Sequence, residues 1–383
     1  MFDDIRPYND DEVEGVLQNL VKDPELLSSI QQFRYPGWPA WSGFLLRPLI
    51  RRHLSQQTKD VHSVHDFQMI VKQYVRHMIE QTMDGFSVSG AENILPDQAC
   101  LFLGNHRDIT LDPAFTNFAL HQHDFDTVRI AIGDNLLTKP FATDLMRLNK
   151  SFIVKRSASG PRQILAAFKN LSAYILQSIR QDGQYIWMAQ REGRAKDGND
   201  KTEPAIIKML AMSRDKKIHS FAEHIRQLNI IPVAVSYEYD PCDLAKATEL
   251  AAIAEHGSYD KAEHEDIRSI ADGISGYKGQ VHIAFGERLT GNFETPEDVA
   301  AEVDRQIYRN YRLHPSNCVA WERLNGSQPT VRCGSHDQAY DPAAFAAEIS
   351  TFVQRLQAYP AALQPAVLAM YAKPVSNKLA RAS

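Results

Sequence analysis

The residues most able to do chemistry lie in one short stretch. An apolar run, Leu101-Phe102-Leu103, breaks at Gly104 and is followed by His106, Asp108 and Asp112. An imidazole held by a carboxylate is a general base for a hydroxyl group, because the acid orients the ring and favours uptake of a proton. The stretch reads as a junction: Phe102 and Leu103 end a strand, and Asp112-Pro113 opens a helix, since proline suits the first helical turn. Ligands of open α/β sheets gather where strands end and helices begin. Taken alone, His106 reads equally well as a residue that merely caps a turn, and either aspartate could hold it.

Two further strand ends carry charge. Ser151-Phe152-Ile153-Val154 runs into Lys155 and Arg156, a point charge and a planar fork that both suit phosphate. Tyr185–Ala189 breaks into Arg191-Glu192-Gly193-Arg194, with Lys196 shortly after. Gly193 permits close backbone approach there, and the cations favour an anionic group. A third apolar run, Ile230–Val235, contains Pro232, which predicts a strand start or a sheet edge.

Positioning these residues requires strands alternating with helices. Candidate strands are 86–89, 100–103, 128–132, 152–154, 185–188, 230–235 and 281–285. Amphipathic helices are predicted over 63–83, 164–180 and 297–311. The fold class is therefore α/β, a mostly parallel mixed sheet flanked by helices, with helical additions at both ends. The expected divisions are 1–84, helical; 85–311, the α/β domain; and 312–383, a helical extension. Asn9–Glu12 predicts a capping box, residues 312–340 read as irregular, and Lys373–Ser383 as a frayed basic tail.

The 383 residues suffice for a sizeable core. A net charge of −5 provides no basic field for nucleic acid. The four cysteines, Cys100, Cys242, Cys318 and Cys333, are too scattered for a disulfide frame or a zinc site. The acidic start, Met1-Phe2-Asp3-Asp4, lacks the regions of a signal peptide, and no apolar run reaches the roughly 18 residues of a membrane span. The expected location is cytoplasmic, with peripheral contact on the inner face of a membrane through Trp38, Trp41 and Phe44. Arginines 47, 51 and 52 follow them, which suits lipid headgroups.

In this order, the four stretches resemble the motifs of the glycerolipid acyltransferase family, which acylates glycerol 3-phosphate or 1-acylglycerol 3-phosphate. The matching residues are Asn105-His106…Asp112, Phe152–Arg156, Glu192-Gly193-Arg194 and Ile231-Pro232-Val233, over about residues 85–290. Val88–Pro96 is similar to the family's lead-in. The resemblance implies that His106, assisted by Asp112 or Asp108, is the base. It also implies that Lys155, Arg156, Glu192, Gly193 and Arg194 bind the acceptor's phosphate. The donor would be acyl-CoA or acyl-carrier protein as co-substrate and the acceptor a lysophospholipid or glycerol phosphate, with no metal and no cofactor. Two departures stand out: the family's aspartate position is Leu111 here, one before Asp112, and one residue is missing between Gly193 and Arg194. The rival readings are a metal-dependent hydrolase using His106, Asp108, Asp112 and the His121–Asp126 cluster, and a lipid-binding protein of the same fold without catalysis.

Overall fold

The computed structural model describes residues 2–35, 37, 43–262 and 265–380. Nine strands lie among them: β1 (Met83–Ser89), β2 (Leu101–Gly104), β3 (Arg129–Gly133), β4 (Ser151–Val154), β5 (Ile186–Ala189), β6 (Ile231–Tyr237), β7 (Gly279–Phe285), and the two-residue strands β8 (Arg332–Cys333) and β9 (Gln338–Ala339). The chain forms two compact units, Met1–Val75 with Arg129–Ala167, and Arg76–Val128 with Phe168–Ser383.

In the larger unit, β1 pairs with β7, β7 with β6, β6 with β2 and β2 with β5. All these pairings are parallel except β6 with β7. β2 and β6 are buried at every position, which is why their sequences are continuous apolar runs without alternation. Pro232 is the second residue of β6, so it marks the strand's start. The strand is not at an edge, because β2 and β7 lie on either side. The carboxyl ends of β2, β5 and β6 point the same way, and the residues of interest follow them.

The C-terminal region of this unit corrects two expectations. Residues 312–340 contain the helix Pro315–Asn325 and the β8–β9 hairpin. Of the supposed frayed tail, Lys373–Leu379 belongs to the helix Gln364–Leu379, with Val375 fully buried, while 381–383 lie outside the described residues. The helix's apolar face packs with Pro315–Asn325 and Ala346–Gln357 around Phe352, Val367, Met370 and Tyr371, and that burial outweighs the polar, basic composition of the tail.

In the smaller unit, β3 pairs in parallel with β4. The helix Asp10–Leu20 opens with the expected capping bond, Glu12 accepting from the Asn9 amide at 2.8 Å. Val13, Leu17, Leu20, Leu26, Phe67 and Leu148 form its core, and Tyr8 donates to Asp144 at 2.6 Å.

Candidate active site

The site in the larger unit begins with Asn105. Its backbone amide donates to Val233, its side-chain amide donates to Val235 at 3.0 Å, and its side-chain oxygen accepts the Val235 amide at 2.7 Å. The β2–β6 ladder is thereby prolonged by a side chain, and the turn after β2 is fixed to β6 before His106 begins.

Asp112 then gathers the turn around itself. It is fully buried, and its Oδ2 accepts the Arg107 amide at 2.7 Å, the Asp108 amide at 2.9 Å, and the His106 ring through Nδ1 at 3.0 Å. Its other oxygen accepts the Tyr237 hydroxyl at 2.8 Å. Facing a carboxylate, Nδ1 carries the ring proton, and Nε2 keeps the lone pair a base needs. Nε2 has no protein partner among the described residues. The His106 side chain retains 14 % exposure, so the ring reaches solvent while its anchor does not. Its edge lies against Trp187, ring centroids 6.1 Å apart. Gly104 leaves room for that indole: a Cβ there would stand 3.0 Å from Trp187 Nε1.

Asp108 has a different task. Its Oδ1 accepts the Thr110 and Leu111 amides at 2.9 and 2.8 Å, closing the turn into the helix Leu111–Gln122. Burial, and then the neighbouring Asp112, push its carboxyl above the usual range. Of the two aspartates, the structure brings only Asp112 to the ring. The turn that Asp108 closes brings Asp112, six positions after His106, to the ring.

Backbone amides after Gly104 are natural candidates for stabilising an oxyanion, but those of Asn105, Arg107 and Asp108 are all spent on internal acceptors. The same saturation bears on the hydrolase reading, since the Asp112 oxygens and Asp108 Oδ1 already accept protein donors. His123, at the end of the same helix, bonds the carbonyl of Ala119 at 2.9 Å.

The loop after β5 is tied to the loop after β2. Gln190 donates to the Gly104 carbonyl at 2.8 Å, and Ala195 to the His106 carbonyl at 2.7 Å. Arg194, one residue before that second bond, is buried; Nη2 reaches Ser269 at 3.4 Å and Nη1 has no partner. A buried guanidinium with an unmatched donor has the chemistry to bind an anion. Of the other cations of the loop, Lys196 is ion-paired with Glu249, and Arg191 faces Glu203 at 3.9 Å with its Nε also lacking a hydrogen-bond partner among the described residues. Glu192 is exposed, and its amide donates to Glu203 at 3.2 Å. Gly193 has φ +71° with open space beside it. A buried pair beneath the loop holds it in place: Arg107 meets Asp200 at 2.6 Å and lies 5.4 Å from the Tyr311 ring centroid. The Arg107 carbonyl also accepts from Lys246 at 2.6 Å.

Lys155 and Arg156 lie in the smaller unit, after β4. Lys155 is ion-paired with Asp4. The Arg156 amide donates to Asp134 at 3.0 Å, and its side chain passes over Gly133. Trp38 and Trp41 lie outside the described residues. Phe44 is 86 % exposed on the helix Gly43–Gln57.

Tyr237 and Trp187 are the neighbours of the dyad that sequence reasoning did not single out, whereas Asn105 entered only as part of the first motif, without its clasp on β6. The only signal for Tyr237 was its place at the end of an apolar run facing the same sheet edge.

The comparisons can be set beside this geometry. Residues 85–236 match the model of the family described as Acyltransferase. No curated protein matches the chain. Among solved structures it is similar to the 1-acyl-sn-glycerophosphate (LPA) acyltransferase PlsC from Thermotoga maritima. The identity is 14 % and the TM-score 0.39, over 78 % of this chain and 95 % of that one.

Proposed function

Residues 85–236 being an acyltransferase-family domain, we propose that the chain moves a fatty acyl group from acyl-CoA or acyl-carrier protein to the hydroxyl of glycerol 3-phosphate or a lysophospholipid. One observation carries the reading: buried Asp112 holds His106 Nδ1 at 3.0 Å, while Ala195 bonds the His106 carbonyl and so brings the loop of Arg194 to the base.

In the proposed reaction, His106 Nε2 takes the acceptor's hydroxyl proton as that oxygen attacks the thioester carbonyl. The tetrahedral intermediate collapses with loss of the C–S bond, and the imidazolium returns its proton to the departing thiolate. The products are an ester and a free thiol, and no acyl-enzyme, metal or resident cofactor takes part because the thioester is already activated. Asp112 stabilises the imidazolium and Tyr237 holds Asp112 from behind. Arg194, through its unmatched Nη1, binds the acceptor's phosphate, with Gly193 allowing close approach; fixing the acceptor in this way makes the attack effectively intramolecular. The phosphate-binding roles of Glu192, Arg156 and Lys155 belong to the proposal too.

Purified protein assayed with both donors and both acceptors tests this. His106→Ala is expected to lower transfer by roughly a hundredfold or more while the fold persists. Arg194→Gln is expected to raise KM for a phosphate-bearing acceptor by about tenfold. Near-normal transfer by His106→Ala would falsify the mechanism.

We further propose a cytoplasmic protein that touches the inner face of a membrane through the helix Gly43–Gln57. Phe44, Leu45 and Leu49 are exposed there, and Arg47, Arg51 and Arg52 suit anionic headgroups. No helix among the described residues is long and apolar enough to cross a membrane. Flotation with anionic vesicles is expected to carry the protein, and Phe44→Asp to reduce the floating fraction; equal flotation of the two rules out this contact.

A further inference from the structure

One peptide group beside the dyad is held at both ends. The N–H of the Arg107–Asp108 peptide donates to Asp112 Oδ2 at 2.9 Å, and its C=O accepts the Lys246 ammonium at 2.6 Å. An ammonium on the carbonyl polarises the amide and makes its N–H a stronger donor, so each bond reinforces the other. Asp112 in turn holds His106 Nδ1 at 3.0 Å. Lys246 is thus two hydrogen bonds away from the acid that orients the base.

Local structure gives no reason for a cation at this position. Lys246 is 2 % exposed and lies in the first turn of the helix Asp243–His256, where the helix dipole disfavours positive charge. Its ion partner is Asp240, just before that helix. Burial works to raise the Asp240 carboxyl, yet Lys246 pulls it below the usual range. A buried ion pair of this kind contributes little more to stability than two apolar side chains of similar volume. What an apolar pair could not supply is the third contact, the bond to the Arg107 carbonyl.

The lysine is itself braced by the C-terminal helices. The Asp240 amide donates to the Tyr371 hydroxyl at 2.8 Å, and that hydroxyl donates on to Asp243 at 2.9 Å. Arg355 forks onto Asp243 at 2.8 and 3.0 Å. The helices Ala346–Gln357 and Gln364–Leu379 therefore fix both the ion partner and the first residue of the helix that carries Lys246. All of these residues lie beyond the stretch 85–236.

We propose that Lys246 is a positioning residue for the base: by gripping the Arg107 carbonyl it sets the peptide that Asp112 binds, and so aims His106 Nε2 at the acceptor's hydroxyl. The proposal rests on acyl transfer at His106, so one of its tests needs no substrate.

Lys246→Met keeps most of the side chain's bulk and loses the ammonium. It is expected to lower kcat about tenfold, the scale of a slightly misaimed base, and to leave KM for donor and acceptor within about twofold. Tm should fall as well, because Asp240 loses its partner. Lys246→Met/Asp240→Asn separates the two roles, since it leaves no carboxylate unpaired and asparagine still accepts the Cys242 amide. The double variant is expected to regain most of the lost Tm and little of the lost kcat. Recovery of kcat together with Tm, or a near-normal kcat in Lys246→Met, would overturn the proposal and leave Lys246 as the partner of Asp240 alone. A wild-type chain that transfers no acyl group would instead sink the acyl-transfer reading, and hydrogen exchange then decides the positioning role. The amides of Arg107 and Asp108 are expected to exchange about tenfold faster in the double variant, while the helix Gln364–Leu379 exchanges as in wild type. Unchanged exchange at those two amides would overturn the proposal whatever the activity.

Discussion

Two histidines on the same sheet show what turns a buried ring into a base. His282, on β7, is 2 % exposed, and both of its nitrogens meet hydroxyls, Ser87 at 2.7 Å and Ser89 at 2.9 Å. Burial, with Arg312, His314 and Lys378 adding to it, drives it down to about 3, so this ring stays neutral at any ordinary pH. His106 has a carboxylate on one nitrogen, solvent access, and no protein partner on the other. The serine pair consumes the ring's hydrogen-bonding capacity, whereas the aspartate orients the ring and leaves half of it open. Proximity of a hydroxyl to a histidine is thus a poor marker of a nucleophile; the unfilled nitrogen is the better one.

The comparison can be broken at several points. The largest effect is expected from exchanging the two aspartates in turn. Asp112→Asn removes the acceptor that fixes the ring's tautomer and should lower kcat by roughly a hundredfold or more. Asp108→Asn keeps an oxygen for the Thr110 and Leu111 amides, since asparagine caps a helix about as well as aspartate, and should change kcat by no more than about threefold. Similar losses in both would mean that Asp112 is not the functional partner. A smaller effect is expected of Tyr237→Phe, which leaves one Asp112 oxygen buried and unpaired. A drop in kcat of about tenfold with little change in KM is anticipated, and an altered pH–rate profile would show that the loss passes through the dyad and not through general loosening.

The smallest effect on turnover, but a clear one on stability, belongs to His282. Its folded pKa lies near 3 and its unfolded value near 6.5. Between these values the unfolded chain binds the extra proton, so this residue's contribution to stability is intact above about pH 6.5 and is lost as pH falls toward 3. His282→Gln, which can still bond a serine, is expected to leave acyl transfer nearly unchanged and to flatten the acid side of the stability profile. Chemical denaturation between pH 4 and 7 measures this; an unchanged acid slope would show that His282 is not what titrates.

Much of this arrangement was legible in the residues. All seven longer strands lie within a few positions of the runs that predicted them, most directly β2 and β6, because a strand buried on both faces writes its length into the sequence. The junction at Gly104 and the helix from Leu111 were readable for the same reason. The choice between Asp108 and Asp112 was not, since both are near in sequence and only the turn's backbone bonds separate them. Tyr237, 125 positions from Asp112, was hidden because no local pattern encodes a contact made through strand pairing. The loop after β5 shows the same limit: three cations looked equivalent there, and only the tertiary structure shows that Lys196 is paired with Glu249, that Arg191 faces Glu203 at 3.9 Å and that Arg194 is buried with an unmatched Nη1. The C-terminal extension was legible as helical, but its last turns, Lys373–Leu379, were not, because polar residues such as Asn377, which the fold nevertheless buries, give them the look of a solvated tail.

The clasp of Asn105 on Val235 spans 130 positions, and this gives the chain an order of events in synthesis. A nascent chain that has passed Asp112 already carries both members of the dyad, yet the strand that immobilises Asn105 and the hydroxyl that holds Asp112 are translated more than a hundred residues later. Closing so long a loop is slow and entropically costly. An emerging chain therefore remains without the assembled His106–Asp112 pair until β6 has been made.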